Sequence, residues 1–129
     1  MEAMPSQTQS LFGQRVFEVA DDGHGIHSIR YAVDVVGMAL GQDATMVVLP
    51  IASLDPAFFQ LSTRFAGEVL QKFVNYGLRV VVLGDHSQHS AQSGPLRDFI
   101  RESNRSKAIW FLADWNALKE KLAAESEGR

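Results

Sequence analysis

Two short apolar runs in the middle of the chain constrain the fold more than any other feature of the sequence. Ala44–Leu49 reads ATMVVL and Leu78–Leu83 reads LRVVVL, and both are nearly continuous in apolar residues instead of alternating with polar ones. Strands of this kind lie in parallel sheets that are covered by helices on both faces. The two runs therefore predict the central strands of an α/β fold.

Two further apolar runs, with helical patterns between the runs, complete the predicted fold. Arg15–Ala20 and Lys107–Leu112 are the remaining strand candidates. The spacing of apolar residues elsewhere predicts helices at about residues 28–41, 55–76, 95–104 and 115–124. We therefore expect one α/β domain over residues 11–125, a four-stranded, mainly parallel sheet in the order β-α-β-α-β-α-β-α. Residues 1–10 are polar and contain a proline, which predicts a disordered N-terminal tail.

Capping residues agree with these helix boundaries. Ser28, Asp55 and Asp114 stand before the predicted first, second and fourth helices, and serine and aspartate commonly cap helix N-termini. Ser93 or Gly94 takes the same position before the third helix. Apolar runs and caps thus favour the same fold class.

The composition excludes several classes of protein. The 129 residues include no cysteine, which rules out disulfides, thiolate catalysis and zinc sites built with cysteine. The net charge of −3 and the lack of a basic stripe argue against nucleic acid as a partner. The apolar runs are too short to cross a membrane, and the N-terminus lacks the features of a signal peptide. We therefore expect a cytoplasmic protein.

The first predicted helix is apolar around much of its circumference. At about 100° per residue, the apolar residues of Ser28–Leu40 cover roughly 220°, whereas a surface helix usually has a stripe of about 100° or somewhat more. Either this helix lies between the sheet and neighbouring helices, or one of its flanks pairs with a second subunit. A homodimer through the helix at Ser28–Leu40 is therefore one expectation.

All four histidines lie in two loops, as His24-x2-His27 and His86-x2-His89. If the strands before these loops are parallel, both loops emerge at the carboxyl edge of the sheet, where open α/β sheets bind ligands. Four imidazoles could hold zinc or a similar metal there, but histidines also occur in loops without any ligand. We favour the second interpretation and expect neither a metal nor a cofactor.

The loop after the third predicted strand, GDHSQHS at residues 84–90, suggests two further kinds of chemistry. Ser87 or Ser90 beside a histidine resembles a nucleophile with its base, but the strained Gly-x-Ser-x-Gly turn is absent. A phosphate or another anion could bind where this loop meets the third helix, with Arg97 adding a bidentate contact. A capped turn without a ligand is the alternative.

A longer stretch of the chain carries a family resemblance. Residues 58–106 read FFQLSTRFAGEVLQKFVNYGLRVVVLGDHSQHSAQSGPLRDFIRESNRS, and they resemble a bacterial family called domain of unknown function 4180. The matching features are Phe58-Phe59, Leu61, Thr63, Ala66–Tyr76, Gly84-Asp85, Leu96–Ile100 and Glu102–Asn104. The chain departs from the family pattern at His86 and His89, where aromatic residues are frequent. This departure argues further against a metal site.

The family is distantly similar to STAS-like domains, which are small α/β modules that bind proteins and act as switches. The resemblance therefore implies a STAS-like fold and a non-enzymatic regulatory module with a protein partner. A small-molecule or anion-binding protein, or an enzyme, is the alternative. STAS-like switches are phosphorylated at a hydroxyl near a helix N-terminus, and the hydroxyls of that type are Ser53, Ser62, Thr63 and Ser87. The residues expected to form the binding surface are Thr63, Glu68, Asp85, Ser87 and Arg97.

Overall fold

The computed structural model of the chain describes residues 7–19, 26, 28–54, 56–60, 64–87 and 93–127. Within these ranges the fold is α/β, with a mixed sheet of five strands. The strands are β1 (Gln7–Leu11), β2 (Gln14–Glu18), β3 (Met46–Pro50), β4 (Arg79–Leu83) and β5 (Ile109–Leu112). β1 is antiparallel to β2, and β2 to β5 are parallel to one another.

Four α-helices accompany the sheet in the described ranges. They are α1 (Ile29–Gly41), α2 (Phe65–Asn75), α3 (Gly94–Arg105) and α4 (Trp115–Glu127). Two short 3-10 helices, Ile51–Ser53 and Pro56–Phe59, lie between β3 and α2. None of the described helices is both long and apolar enough to pass through a membrane.

Three helix N-termini have the predicted side-chain caps. The hydroxyl of Ser28 accepts a hydrogen bond from the N–H of Tyr31 at 3.0 Å, and that of Ser93 accepts one from Leu96 at 3.1 Å. The carboxylate of Asp114 accepts from Ala117 at 2.9 Å. Each bond satisfies an N–H group that has no partner inside its helix, so these residues fix where the helices begin. Asp55 lies outside the described residues.

The order of the strands determines which face of the sheet each helix covers. The sheet order is β1-β2-β3-β4-β5, so every crossover moves one strand in the same direction. Crossovers of one hand then place their helices on one face. Accordingly, residues of α1, α2 and α3 pack together with Phe17, Val47 and Val80 in one core cluster. Leu118 and Leu122 of α4 pack on the opposite face, in a second cluster.

The prediction of four strands was wrong at the N-terminus. Residues 1–10 were assigned to a tail, but β1 occupies Gln7–Leu11 and forms a hairpin with β2. The turn of the hairpin consists of Phe12 and Gly13, with φ angles of 47° and 85°. Positive φ angles at both positions are those of the type I′ turn, whose twist matches the twist of the strands that it joins. The predicted STAS-like topology is accordingly not matched exactly.

The prediction of one long helix at residues 55–76 was also wrong. The structure divides this segment into the 3-10 helix Pro56–Phe59 and the α-helix that begins at Phe65. Arg64 directly precedes α2 and has a φ of 61°. A left-handed residue cannot continue a right-handed helix, so α2 begins one residue later.

Candidate functional site

Most residues of the expected binding surface lie at one end of the fold. Because α1, α2 and α3 each run back from the end of one parallel strand to the start of the next, their first turns lie at the carboxyl edge of the sheet. Glu68 is in the first turn of α2, and Arg97 is in the first turn of α3. Asp85 and Ser87 follow β4 at the same edge. Thr63 lies outside the described residues.

Gly84 controls how the chain leaves β4. Its N–H donates to the carbonyl of Leu112 at 2.9 Å, so it still belongs to the sheet ladder. Its φ is 140°, and a Cβ at this position would lie 3.1 Å from the Cβ of Ile51. The positive φ therefore favours glycine, and any side chain here would have to displace Ile51 by a few tenths of an ångström. The close approach brings the segment after β3 against the start of the loop after β4.

Asp85 and Ser87 are in direct contact. The carboxylate of Asp85 accepts a hydrogen bond from the backbone N–H of Ser87 at 2.9 Å, which is the geometry of an Asx turn. Hydrogen bonds from the side chain and backbone of Ser87, together with the charge of His86, lower the pKa of Asp85 below its usual value of 3.8. The carboxylate is therefore an anion at neutral pH, and part of its hydrogen-bonding capacity is used inside its own turn.

The ring of His86 packs against the core. It meets the ring of Phe111 edge to face, with the centroids 6.1 Å apart and an angle of 88° between the planes. This contact holds a half-buried imidazole over the end of β5. The other three histidines, His24, His27 and His89, lie outside the described residues. Within the described part of the chain, no three metal-binding side chains gather as the ligands of one ion.

An anion bound where the loop after β4 meets α3 would lie at the N-terminus of α3. Ser93 caps the helix, and Arg97 lies one turn further along. The guanidinium of Arg97 folds back over the start of its own helix, since its Nη2 would be 3.6 Å from a Cβ added to Gly94. The sequence before Ser93, residues 88–92, lies outside the described residues. An anion at the N-terminus of α3 would therefore lie near the guanidinium of Arg97.

Glu68 extends from the solvent side of α2. Arg64 and Lys72 stand four residues before and four residues after Glu68, but neither forms an ion pair with it among the described residues. Arg64 has left the helix with its left-handed conformation, so the i,i+4 spacing no longer brings it beside Glu68. Glu68 therefore contributes a solvated negative charge to the carboxyl edge.

The largest exposed apolar groups lie away from this edge. Val33, Met38 and Leu40 of α1 are 39%, 47% and 42% exposed, respectively. Tyr76 at the end of α2 and Phe12 at the tip of the β1–β2 hairpin are also exposed. The apolar pattern of the sequence predicted an unusually apolar α1, but it did not predict the hairpin tip, because phenylalanine is not a typical turn residue.

A family model described as Domain of unknown function (DUF4180) matches residues 12–122. The chain belongs to this family. Membership confirms the resemblance that the sequence showed, and the match extends from the hairpin turn into α4. No curated protein and no solved structure matches the chain. The function of this DUF4180 chain is therefore inferred from its own geometry.

One DUF4180 motif residue has a role that sequence analysis did not identify. Asn104, the last residue of the Glu102–Asn104 motif, accepts a hydrogen bond from the N–H of Phe111 at 2.6 Å. Its amide nitrogen also donates to the carbonyl of Phe111 at 3.2 Å. The side chain therefore pairs with β5 as a neighbouring strand would.

Proposed function

We propose that the chain is a non-enzymatic protein-binding module that acts as a homodimer through α1. The observation that carries the proposal is the exposure of Val33, Met38 and Leu40 on a single helix. Large apolar side chains that remain exposed to water on one helix favour contact with another protein. Each Å² of apolar surface removed from water contributes about 25 cal/mol, so covering such a surface favours association.

The exposed residues form two flanks of α1. Ala32, Val35, Val36 and Ala39 are buried and form the stripe that faces the sheet. Val33 and Leu40 are one heptad apart, which places them about 20° apart around the helix axis, on one side of this stripe. Met38 lies on its other side. We call the two sides the Val33 flank and the Met38 flank.

The alternative is a small-molecule or anion-binding protein, or an enzyme, with its site at the carboxyl edge. Arg97 in the first turn of α3 favours this alternative. Two negative charges argue against an anion site at this edge. Asp85 is held as an anion by its bonds to Ser87, and Glu68 is a solvated carboxylate. Stabilisation by phosphate or nucleotides that Arg97→Ala abolishes, measured by thermal unfolding, would favour the alternative over the binding module.

The STAS-like character of the proposal adds regulation by phosphorylation. Ser53 and Ser87 are the described hydroxyls of the expected type. Ser53 is 2% exposed and donates to the carbonyl of Pro50 at 2.6 Å, so a kinase cannot reach it in the folded protein. Ser87 is exposed. We therefore propose Ser87 as the regulated position, because a phosphate there would repel the Asp85 carboxylate and open the turn.

The homodimer is tested by light scattering over a series of micromolar concentrations. Val33→Ser combined with Leu40→Ser removes the Val33 flank, and Met38→Ser removes the other flank. Asp34→Ser is the matched control, since Asp34 is an exposed polar residue of the same helix. We expect a dimer mass for the natural chain and the control, and a weakened dimer for at least one flank variant. A monomer mass for the natural chain at every concentration would refute the homodimer.

Binding of a different protein is tested separately. Proteins cross-linked to the chain in a cell extract are purified and titrated individually against the natural chain, the flank variants and Asp34→Ser. A protein that binds the natural chain and the control, but neither flank variant, supports the binding module. If every recovered protein binds all variants equally, α1 is not the recognition surface.

A further inference from the structure

The hydrogen bonds of β2 show how the hairpin strands are oriented. The carbonyl of Arg15 accepts from the N–H of Thr45 at 2.8 Å, so the backbone groups of Arg15 face β3. Successive residues of a strand direct their backbone groups to opposite sides. Val16 therefore faces β1, where its ladder partner is Gln9. It follows that Gln9 directs its N–H and C=O groups toward β2.

The residues on either side of Gln9 direct their backbone groups the other way. Thr8 and Ser10 therefore present their N–H and C=O groups at the outer edge of β1. Among the described residues, none forms a hydrogen bond with these groups. An edge of this kind is a template for another strand.

β1 also lacks the features that keep an edge strand from pairing. Such strands usually carry lysine, proline or a bulge, whereas Gln7–Leu11 reads QTQSL and pairs with β2 in an unbroken register. The segment has no charged residue, so two copies placed side by side bring no like charges together. We infer that β1 pairs antiparallel with the β1 strand of a second copy, which joins the two sheets into one. This inference rests on the homodimer of the proposed function and adds β1 to the interface that α1 forms.

The sequence of β1 fits a two-fold axis through Gln9. In that register Thr8 lies opposite Ser10 of the second copy, and Ser10 lies opposite Thr8 of the second copy. Opposed residues whose backbone groups face each other exchange both N–H···O=C bonds. The outward groups of the two strands thus satisfy one another, as an interface between identical surfaces requires.

The surface beside β1 is continuous with the Met38 flank of α1. Phe17 lies opposite Thr8 in the hairpin ladder. Phe17, Met38, Gly41 and Gln42 line an open depression of about 420 Å³ on that side of the sheet. A strand added at β1 would lie next to this depression and shield part of it from water. Pairing of β1 and burial of the Met38 flank can therefore belong to the same interface.

The opposite edge of the sheet limits the assembly to two copies. Asn104 occupies both backbone groups of Phe111 at the outer side of β5, and the hydroxyl of Ser106 accepts from the N–H of Ile109 at 3.3 Å. A sheet with one open edge and one covered edge forms a closed dimer instead of a filament.

The first test replaces Ser10 by proline and by alanine. Ser10→Pro removes an N–H that points out of the hairpin, so it spares the ladder to β2, whereas Ser10→Ala changes the side chain alone and is the matched control. Two hydrogen bonds are lost per dimer, and the proline rings face the partner strand. We expect the dissociation constant of the dimer to rise about 30-fold for Ser10→Pro and to change little for Ser10→Ala. A Ser10→Pro dimer as tight as that of the natural chain, with folding confirmed by circular dichroism, would overturn the inference.

Hydrogen exchange on the natural chain gives an answer that does not depend on a variant. In the dimer the N–H groups of Thr8 and Ser10 should exchange slowly, like that of Gln9, and dilution should speed the exchange of Thr8 and Ser10 alone. Fast exchange of Thr8 and Ser10 in a sample that light scattering shows to be dimeric would refute pairing through β1 while leaving the homodimer intact. A monomer under all conditions would refute both the homodimer and the inference, but not the binding of other proteins.

Discussion

The two edges of the sheet differ in whether their outward backbone groups have hydrogen-bond partners within the described part of the chain. At β5, side chains from the end of α3 bond to the backbone: Asn104 pairs with both groups of Phe111, and Ser106 with the N–H of Ile109. At β1, the outward backbone groups of Thr8 and Ser10 have no such partners in the described part of the chain. The first edge is completed within one chain, whereas the second is left for another strand.

The difference shows that edge protection in this fold is a property of specific side chains and not of strand length or polarity. β5 is the more apolar strand, reading IWFL, and it would be the greater aggregation hazard if it were open. It is the strand that is covered. β1 reads QTQSL, and a polar strand of this kind can remain open in a soluble protein until a matching strand binds.

The largest effect is expected when the covered edge is opened. Asn104→Ala removes both bonds to Phe111 and leaves an N–H and a C=O group without their partners. We expect the free energy of unfolding to fall by about 2–3 kcal/mol in urea titrations. We also expect masses above that of a dimer in light scattering, because both sheet edges can then pair.

Asn75→Ala is the matched control for this variant. Asn75 also ends a helix of a DUF4180 motif, but within the described ranges its amide oxygen accepts only from the exposed Gln71, at 2.7 Å. Its replacement should change the unfolding free energy by less than about 0.5 kcal/mol. Equal effects of Asn75→Ala and Asn104→Ala would mean that the bonds to Phe111 do not protect the edge.

The next effect concerns α4, which covers the second face of the sheet near β5. Arg79 of β4 forms two hydrogen bonds to the carboxylate of Glu125, at 2.9 and 3.1 Å, and its guanidinium lies 4.5 Å from the centre of the Trp110 ring. Glu125→Gln keeps the shape and removes the charge. We expect a loss of about 1 kcal/mol in unfolding free energy, because both partners are mostly buried.

Glu120→Gln is the control for Glu125, since Glu120 is an exposed carboxylate of the same helix. Its replacement should leave the unfolding curve unchanged, whereas that of Glu125 should shift the curve to lower urea. The effect of Glu125→Gln should also shrink in high salt, because the interaction is partly ionic. A salt-independent loss would point to packing of α4 as the cause.

At the open edge we expect a substitution to stabilise the chain. Phe12 has a φ of 47° in a type I′ turn and is 52% exposed, so it bears the cost of a left-handed residue without burying its ring. Asparagine tolerates this conformation, and Phe12→Asn should raise the unfolding free energy by about 1 kcal/mol. Phe12→Ala is the control, since it removes the ring but keeps the strain. If both variants destabilise the dimer equally, the ring of Phe12 belongs to the interface.

The fold was predictable where burial dictates the residue types. β3 and β4 are covered on both faces, so their sequences are almost wholly apolar, and the caps at Ser28, Ser93 and Asp114 marked where three helices begin. β1 was missed for the opposite reason. Its residues are polar because one of its edges and much of one face meet solvent, and its turn has Phe12 where asparagine would have been diagnostic.

The candidate site was predictable only in part. The prediction of parallel strands placed the candidate site at the carboxyl edge of the sheet, and the spacing of Asp85 and Ser87 is that of a local turn. The histidine that first suggested a metal packs on Phe111, a residue 25 positions away in sequence order, and spacing within the loop carries no information about that contact. Asn104 illustrates the same limit, because its contact with Phe111 depends on how α3 packs beside β5 in the folded chain.

The smallest expected effect is the titration of Asp85, whose side chain completes a turn in the loop after β4. Hydrogen bonds from Ser87 lower its pKa, so the turn contributes stability above the unfolded value of 3.8 and loses it as pH falls through the lowered folded value. NMR titration should give a pKa below 3.8 in the natural chain. Ser87→Ala removes the hydroxyl, which is the largest cause, and should move the pKa toward 3.8 while the remaining backbone bond keeps it from reaching that value. A pKa that does not respond to Ser87→Ala would show that Asp85 bonds elsewhere, and its carboxylate would then be available to the carboxyl edge.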